Sequence, residues 1–211
     1  MLTDATMLAG QTGTFVPEAG PNRRKDLDFV RIPRRTRILA RRVGPEELEP
    51  LLSVANSAVG SALAAKEVVA GIAAAHPDAV WAFKLDGKIV GGVALLMLNA
   101  EGLDALLCGA IDLLEPPVRY VTDPSIPPAG IYVWAVVGPS VAAEGILRVL
   151  AEMKAPHYAR SDFYAMPNTA DGVRFTERMG FRLIPGHPQR LYRYVRLGNR
   201  PNQPETSHER V

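Results

Sequence analysis

Residues 133–153, VWAVVGPSVAAEGILRVLAEM, combine three kinds of local structure in immediate succession. β-branched and aromatic residues predict a strand, Gly138 and Pro139 interrupt it, and apolar residues at helical spacing from Ile146 to Met153 predict a helix. The first N–H groups of a helix lack intrahelical partners and attract anions. The segment therefore predicts either a phosphate-binding turn or a simple corner of the fold.

A second segment, residues 161–181, joins a short strand to another helix. SDFYAMP predicts the strand, Asn168 or Thr169 suits the N-cap of the helix, and Asp171 falls in its first turn. Gly180 is a typical stop after the helix. The chain thus contains two successive strand–turn–helix units.

The rest of the hydrophobic pattern predicts the elements that position these units. Asp86-Gly87, between two β-prone runs, is typical of a two-residue hairpin turn. The predicted helices include 45–59, 61–75, 102–114 and 169–179. The order β, α, α, β, β, α, β, α, β, α, β, β predicts the α/β (α+β) class, with a mixed central sheet of six to seven strands flanked by helices.

The composition of the chain excludes several kinds of functional site. With 47% hydrophobic and 22% charged residues, the 211-residue chain is typical of a globular protein with one sizeable core. Cys108 is the single cysteine, which excludes an intrachain disulfide and a cysteine-rich zinc site, and we expect it to be buried and inert within helix 102–114. The histidines lack the spacing of metal ligands, so no metal site is predicted. They are His76, His157, His187 and His208.

The two ends of the chain differ from its middle in residue composition. Arginines crowd residues 1–35, which we expect to be a flexible leader, and we expect 199–211 to be a disordered tail. Two interpretations of the leader are open, an electrostatic arm for nucleic acid and a solvated segment. We favour the second because acidic residues interrupt the run and no aromatic ladder accompanies it. The absence of a long apolar run or a signal-peptide pattern predicts a soluble, cytoplasmic protein without a membrane partner.

The folded domain is expected at 36–198, and within it the two units resemble the GNAT superfamily of N-acyltransferases. YVWAVVGPSVAAEGILRVL followed by FYAMPNTADGVRFTERMGF carries the resemblance. Asn168 after the fifth strand, the helix 169–179 and the closing Gly180-Phe181 match the family's final signature. The resemblance implies a GNAT-like sheet and an acyl-CoA co-substrate, either acetyl-CoA or another acyl-CoA, with no metal.

The resemblance also implies where the pyrophosphate of coenzyme A would bind. Amides of the turn at 138–145, including those of Ala143 and Gly145, would hold it. The loop is degenerate, because the family pattern aligned on Gly145 has Arg or Gln where this chain has Ala142, and Gly or Ala where it has Leu147. Only the central glycine matches, so binding would depend on the backbone.

The pantetheine arm would bind where two parallel strands separate. If strand 131–137 splays from strand 161–166, exposed backbone at Val136 and Val137 would pair with the amides of the arm, as in proteins that this chain resembles. The Val136 N–H would also stabilise the oxyanion formed when an amine attacks the thioester. Asn168 would contact the arm or an ordered water.

Catalytic residues are less clear from the sequence. Many relatives have a tyrosine where this chain has Thr176. Thr176 and Tyr164 are the candidates for proton delivery, with Tyr132 as an alternative to Tyr164. Tyr132 and Trp134 share one face of their strand and either form the wall of a substrate pocket or fill the core. For each tyrosine, packing in the core is the competing interpretation.

Three functions remain open at this point. We favour an acyl-CoA-dependent N-acyltransferase, by resemblance an N-acetyltransferase, acting on a primary amine of a small molecule or a protein. The alternatives are a catalytically impaired acyl-CoA-binding or regulatory protein and a nucleic-acid-associated protein that uses the basic leader. An insertion at 99–129, with helical and proline-rich parts, is expected to select the acceptor, to pack, or to contact a second subunit in a homodimer.

Overall fold

The computed structural model describes residues 37–58, 63–139 and 143–199, which form a seven-stranded mixed sheet with helices on both faces. The strands are β1 (Ile38–Arg42), β2 (Val80–Leu85), β3 (Lys88–Leu98), β4 (Gly130–Val137), β5 (Asp162–Ala165), β6 (Arg182–Leu183) and β7 (Tyr192–Tyr194). The helices are α1 (Pro45–Ala58), α2 (Lys66–Ala75), α3 (Ala100–Leu107), α4 (Ala143–Glu152) and α5 (Ala170–Arg178). The predicted order of elements and the fold class are confirmed.

The sheet has the strand order β1-β2-β3-β4-β5-β7-β6. All neighbouring strands pair antiparallel except β4 and β5, which are parallel. The β2–β3 hairpin turns at Asp86 and Gly87, whose φ angles of 49° and 81° belong to the left-handed region that a two-residue hairpin turn needs. The Asp-Gly pair therefore acts as the sequence predicts.

Helix α1 begins where the sequence places its start signals. Pro45 is its first residue, and the Gly44 N–H donates to the Glu47 carboxylate at 3.3 Å, which satisfies one amide at the helix start. Leu51 lies on the buried face, and Pro50 lies on the exposed face without ending the helix. The helix therefore covers the sheet despite its internal proline.

The helix of the insertion is shorter than predicted. Helix α3 ends at Leu107, whereas apolar spacing predicted a helix to residue 114. Gly109 has a φ of 70°, a conformation that terminates a helix at little cost only for glycine. Cys108 is at the C-cap and exposed, so the expectation of a buried thiol was wrong.

Other boundaries differ by up to five residues from the prediction. Helix α2 begins at Lys66, and α4 ends at Glu152 before a run of turns. The predicted leader at 1–35 and the tail from 200 onwards lie outside the described residues, as do 59–62 and 140–142. Among the helices that the structure describes, none is both long and apolar enough to cross a membrane.

The core has one hydrophobic cluster on each face of the sheet. Helices α4 and α5 pack on one face, where Ile146, Val149 and Phe163 are buried. Helices α1, α2 and α3 pack on the other face, where Leu51, Ile72 and Leu106 are buried. The side-chain alternation of the strands supplies both faces, as a sheet covered on two sides requires.

A buried polar cluster joins the end of β1 and the residues before β2 to the segment after α4. Asp78 is only 6% exposed, and its carboxylate accepts hydrogen bonds from Arg42 and, at 2.5 Å, from the Tyr158 hydroxyl. Burial opposes ionisation of Asp78, but these two donors outweigh it and hold the pKa of the carboxyl below its ordinary value. The Asp78 N–H donates to His76 Nδ1, and burial lowers the pKa of that imidazole.

Tyr158→Phe should destabilise the fold by about 1.5–3 kcal/mol, because the hydroxyl donates to a buried carboxylate. Urea unfolding monitored by circular dichroism measures the change. Tyr120→Phe is the matched control, since its hydroxyl accepts only from the exposed Arg119, and it should change stability by less than about 0.5 kcal/mol. Equal effects of the two substitutions would contradict a structural role for the Asp78 cluster.

Candidate active site

The parallel strands β4 and β5 pair over only part of their length. Their register joins Gly130–Val133 to Asp162–Ala165 and stops there, although β4 continues for four more residues to Val137. Pro167, two residues after β5, has no N–H and cannot extend the ladder. The sheet therefore opens between the end of β5 and the second half of β4, which is the condition that the sequence analysis set for a pantetheine site.

A bulge in β4 marks the point of divergence. Leu95 and Ala94 of β3 are consecutive, but they pair with Val133 and Ala135 of β4, which leaves Trp134 as the extra residue. A bulge bends its strand and increases the local twist. The second half of β4 consequently follows β3 away from β5.

The backbone of Val136 is directed into the opening. The Leu95 N–H donates to the Ala79 carbonyl on the β2 side at 2.7 Å, so by alternation Val93 also points its polar groups to β2. Val93 is the register partner of Val136, and this pair therefore lacks direct hydrogen bonds. The N–H and C=O of Val136 project to the other side, where β5 no longer runs.

A cavity of about 380 Å³ occupies the opening and reaches both faces of the sheet. Its lining combines residues of α1 and of the segment before α2 with residues of α4 and α5, which a continuously paired sheet would keep apart. The residues along the opening itself are Val133, Trp134, Ala135, Val136, Val137, Ala165, Met166, Pro167 and Asn168. The cavity is thus a passage through the sheet.

Most of the residues singled out in the sequence meet at this cavity. Val136 and Val137 lie along its β4 side, and Asn168 lies exposed opposite them, just before the α5 N-cap Thr169. Thr176 is 8% exposed and lines the cavity from α5. Tyr132 and Trp134 also line it, both on the α1 face as their spacing predicts.

Gly145 does not belong to the lining of the cavity, and neither does Tyr164. Tyr164 is the register partner of Tyr132, but its ring leans over Gly130, where an added Cβ would lie 2.9 Å from Tyr164 Cε2 and 3.0 Å from Leu103 Cδ1. The side chain is 3% exposed, and burial raises the pKa of its hydroxyl. Its placement beside α3 gives no support to a role in proton delivery.

The predicted phosphate turn is described only in part. Residues 140–142, and with them Ala142, lie outside the described residues, whereas α4 begins at Ala143. Gly145 is buried in the first turn, and a Cβ there would overlap the ring of Phe83. This glycine therefore has a packing role, the close approach of α4 to β2. The anion-binding role that the sequence suggested stays a prediction.

The lining of the cavity carries no charge among the residues that the structure describes. Its polar side chains are Tyr132, Trp134, Asn168, Thr169 and Thr176. Burial raises the pKa of the Tyr132 phenol, so this group stays neutral. The described residues likewise include no group of three His, Cys, Asp or Glu side chains that could hold a metal ion. The described residues thus offer neutral hydrogen-bonding side chains and backbone groups for chemistry in the cavity.

Sequence reasoning missed the wall that the insertion contributes. Leu113 and Leu114 line the cavity, and the Trp134 indole N–H donates to the Leu113 carbonyl at 2.7 Å. These residues follow the end of α3, within the stretch predicted to be helical. Only the early stop at Gly109 lets the chain turn back towards β4, and that stop has a weak signal in the sequence.

No protein-family model matches the chain, and no curated protein matches it in sequence. Solved structures do resemble it. The loading GNATL domain of CurA from Lyngbya majuscula has a TM-score of 0.52 at 16% identity, over 75% of this chain and 97% of that chain. Ard1 from Thermoplasma volcanium has a TM-score of 0.50 at 8% identity, over 75% and 95%. This protein has the GNAT fold.

A further similar structure is the GphF GNAT-like decarboxylase in complex with isobutyryl-CoA. Its TM-score is 0.47 at 17% identity, and the match covers 60% of this chain and 64% of that chain. The present chain thus spans less than two thirds of the length of that protein. In this GNAT fold the opening between β4 and β5, with the bulge beside it, is the feature that distinguishes the sheet from a continuously paired one.

Gly145→Ala should destabilise this GNAT fold by about 1–3 kcal/mol, because the added Cβ overlaps the fully buried Phe83 ring. Urea unfolding measures the change, and Gly198→Ala, which meets nothing within 4 Å, is the matched control. In an unconstrained helix the same change stabilises by about 1 kcal/mol. A stabilised Gly145→Ala variant would therefore contradict the close packing of α4 on β2.

Proposed function

We propose that this protein is an acyl-CoA-dependent N-acyltransferase that moves an acyl group to a primary amine. The observation that carries the proposal is the opening between β4 and β5, into which the N–H and C=O of Val136 project. A pantetheine arm contains peptide-like amides, so it can take the place of the missing strand segment and pair with this backbone. The opening is therefore suited to a coenzyme A thioester.

The position of the α4 N-terminus supports binding of the same coenzyme A thioester. Helix α4 begins at Ala143, six residues after β4 ends, so its unpaired N–H groups follow the strand that borders the opening. An anionic pyrophosphate is stabilised at such a position by amides and by the helix dipole. Glu144 in the first turn carries the same sign of charge as the ligand. We therefore expect weaker binding than a loop with an arginine would give.

The proposed reaction uses few side chains. As the amine nitrogen attacks the thioester carbon, a C–N bond forms and the C–S bond breaks, and negative charge passes from the carbonyl oxygen to the sulfur. The Val136 N–H is assigned to the developing oxyanion. The Thr176 hydroxyl is assigned a hydrogen bond to the departing sulfur, and water carries the amine proton away because the described lining contains no carboxylate or imidazole.

One alternative has two observations in its favour. The uncharged lining and the loss of the usual tyrosine at Thr176 also suit a protein that binds acyl-CoA without turning it over. An amine acceptor, a homodimer and a cytoplasmic location are part of our proposal. The nucleic-acid arm concerns residues 1–35, which lie outside the described residues, and stays a prediction.

Coenzyme A esters should raise the melting temperature of the protein, since a ligand that binds only the folded state stabilises it by mass action. Asn168→Ala should weaken binding about 2- to 10-fold, the value of one hydrogen bond at the mouth of the opening. Thermal unfolding with and without ligand measures the melting temperature. Calorimetric titration measures the affinities of the unaltered protein and of the Asn168→Ala variant, with the exposed Asn56→Ala of α1 as the matched control. If neither free coenzyme A nor any of its esters binds, the proposed function is wrong.

Thr176→Val should lower kcat about 10- to 100-fold while KM for the acyl-CoA changes less than about threefold, because a hydrogen bond to a charged sulfur is lost only during reaction. Release of free thiol in an amine panel measures turnover. Thr176→Ser keeps the hydroxyl and should retain most of the activity. Binding of acyl-CoA without thiol release by the unaltered protein would instead support the binding-protein alternative.

A further inference from the structure

The cavity extends well beyond the opening on the α1 face of the sheet. This part, which we call the α1 chamber, is lined by Leu52, Ala55, Ala64, Leu113, Tyr132 and Trp134. An acetyl group at the Val136 amide would occupy only the entrance to it. The chamber therefore has room for either the amine acceptor or the tail of an acyl group longer than acetyl.

Close packing and a hydrogen bond hold the walls of the α1 chamber in place. Helix α1 lies close to the sheet because Gly92 leaves room for Leu51, whose Cδ1 would be 2.8 Å from an added Cβ. The insertion closes the opposite side, where the Trp134 indole holds the Leu113 carbonyl at 2.7 Å. The walls thus come from separate parts of the chain that the sheet holds in place.

The chemistry of the walls selects an uncharged occupant. No described residue of the lining is charged. A protonated amine enclosed here would lose its hydration without gaining an anionic partner, which is strongly unfavourable. A hydrocarbon chain would gain from the same surroundings. The acceptor amine is therefore a poorer occupant than the tail of the acyl group.

We propose that the α1 chamber receives the hydrocarbon tail of an acyl group longer than acetyl, so that the preferred donor is an aliphatic or aromatic acyl-CoA. The inference rests on the proposed function, because the tail reaches the chamber only if the thioester lies at the opening. Continuity carries the argument, since residues of the opening and of the chamber line one cavity. Trp134, the extra residue of the β4 bulge, belongs to both.

A chain-length series tests the proposal directly. Calorimetric titration of the full chain with free coenzyme A and with its acetyl, butyryl, hexanoyl, octanoyl and benzoyl thioesters gives the dissociation constants. We expect affinity to rise by about fourfold for each methylene that enters the chamber, which corresponds to about 0.8 kcal/mol, and then to level off when the chamber is full. An affinity that is equal for all esters, or highest for acetyl-CoA, would overturn the proposal.

A larger side chain in the α1 chamber should remove the preference for long acyl groups. Ala55→Leu projects from the buried face of α1 into the chamber, and should reduce the affinity for hexanoyl-CoA at least tenfold while leaving that for free coenzyme A unchanged. Asn56→Leu, on the exposed side of the same helix, is the matched control and should keep the full chain-length dependence. Ala64→Leu, at a half-buried position, is a second filling variant in case Ala55→Leu does not fold.

The outcomes separate this inference from the function on which it rests. Failure of free coenzyme A and of all its esters to bind would reject the proposed function. Binding of free coenzyme A and acetyl-CoA without a gain for longer esters would leave the proposed function standing and reject the chamber as an acyl site. Loss of chain-length dependence in both Ala55→Leu and Asn56→Leu would also reject it, because the effect would then not depend on the chamber.

Discussion

The candidate site depends on one constraint, the inability of β5 to accompany β4 beyond Val133. Three local features impose it. Pro167 cannot donate to a ladder, Thr169 caps α5 by accepting from the Gly172 N–H at 3.1 Å, and the bulge at Trp134 turns β4 towards β3. Backbone groups in such an opening need a partner, because unsatisfied amides are costly where water is excluded. The opening thus leaves backbone donors and acceptors of β4 available to water or to a ligand with amides of its own.

Close packing on both faces keeps the opening from collapsing. Gly92 lets α1 approach one face through Leu51, and Gly145 lets α4 approach the other through Phe83. The strands beside the opening remain tied at their other edges, β4 to β3 and β5 to β7. The two halves of the cavity are therefore held apart by well-packed neighbours on either side.

Buried charge is concentrated away from the cavity. Asp78 pairs with Arg42 and Tyr158 near one edge of the sheet. Asp162, at the start of β5, accepts from Arg193 and from the Arg196 N–H at 2.9 Å. None of these groups lines the cavity, whose described walls are uncharged. This distribution explains why the proposed reaction relies on backbone amides and a hydroxyl, and why the α1 chamber suits a hydrocarbon tail.

Much of the fold follows from local patterns, and the corrections come from places where local signals conflict. Asp86-Gly87 and Gly180 act in the structure as they do in isolated turns and caps, so the order of elements was predictable. The end of α3 was not, because apolar spacing continues to residue 114 while a single left-handed Gly109 breaks the helix. Tyr132 and Tyr164 have the same character in the sequence, and only the position of Leu103 and Gly130 directs one of them away from the cavity.

The sequence by itself determined the elements, the position of Asn168 and Thr176 after the fifth strand, and the residue types of the strand–turn–helix units, because these follow from short-range spacing and backbone preference. Tertiary structure alone decided that β4 bulges at Trp134 against β3, that the insertion returns to Trp134, and that the described lining is free of charge. These properties arise from strand register and from contacts between residues far apart in the chain, which no local pattern encodes.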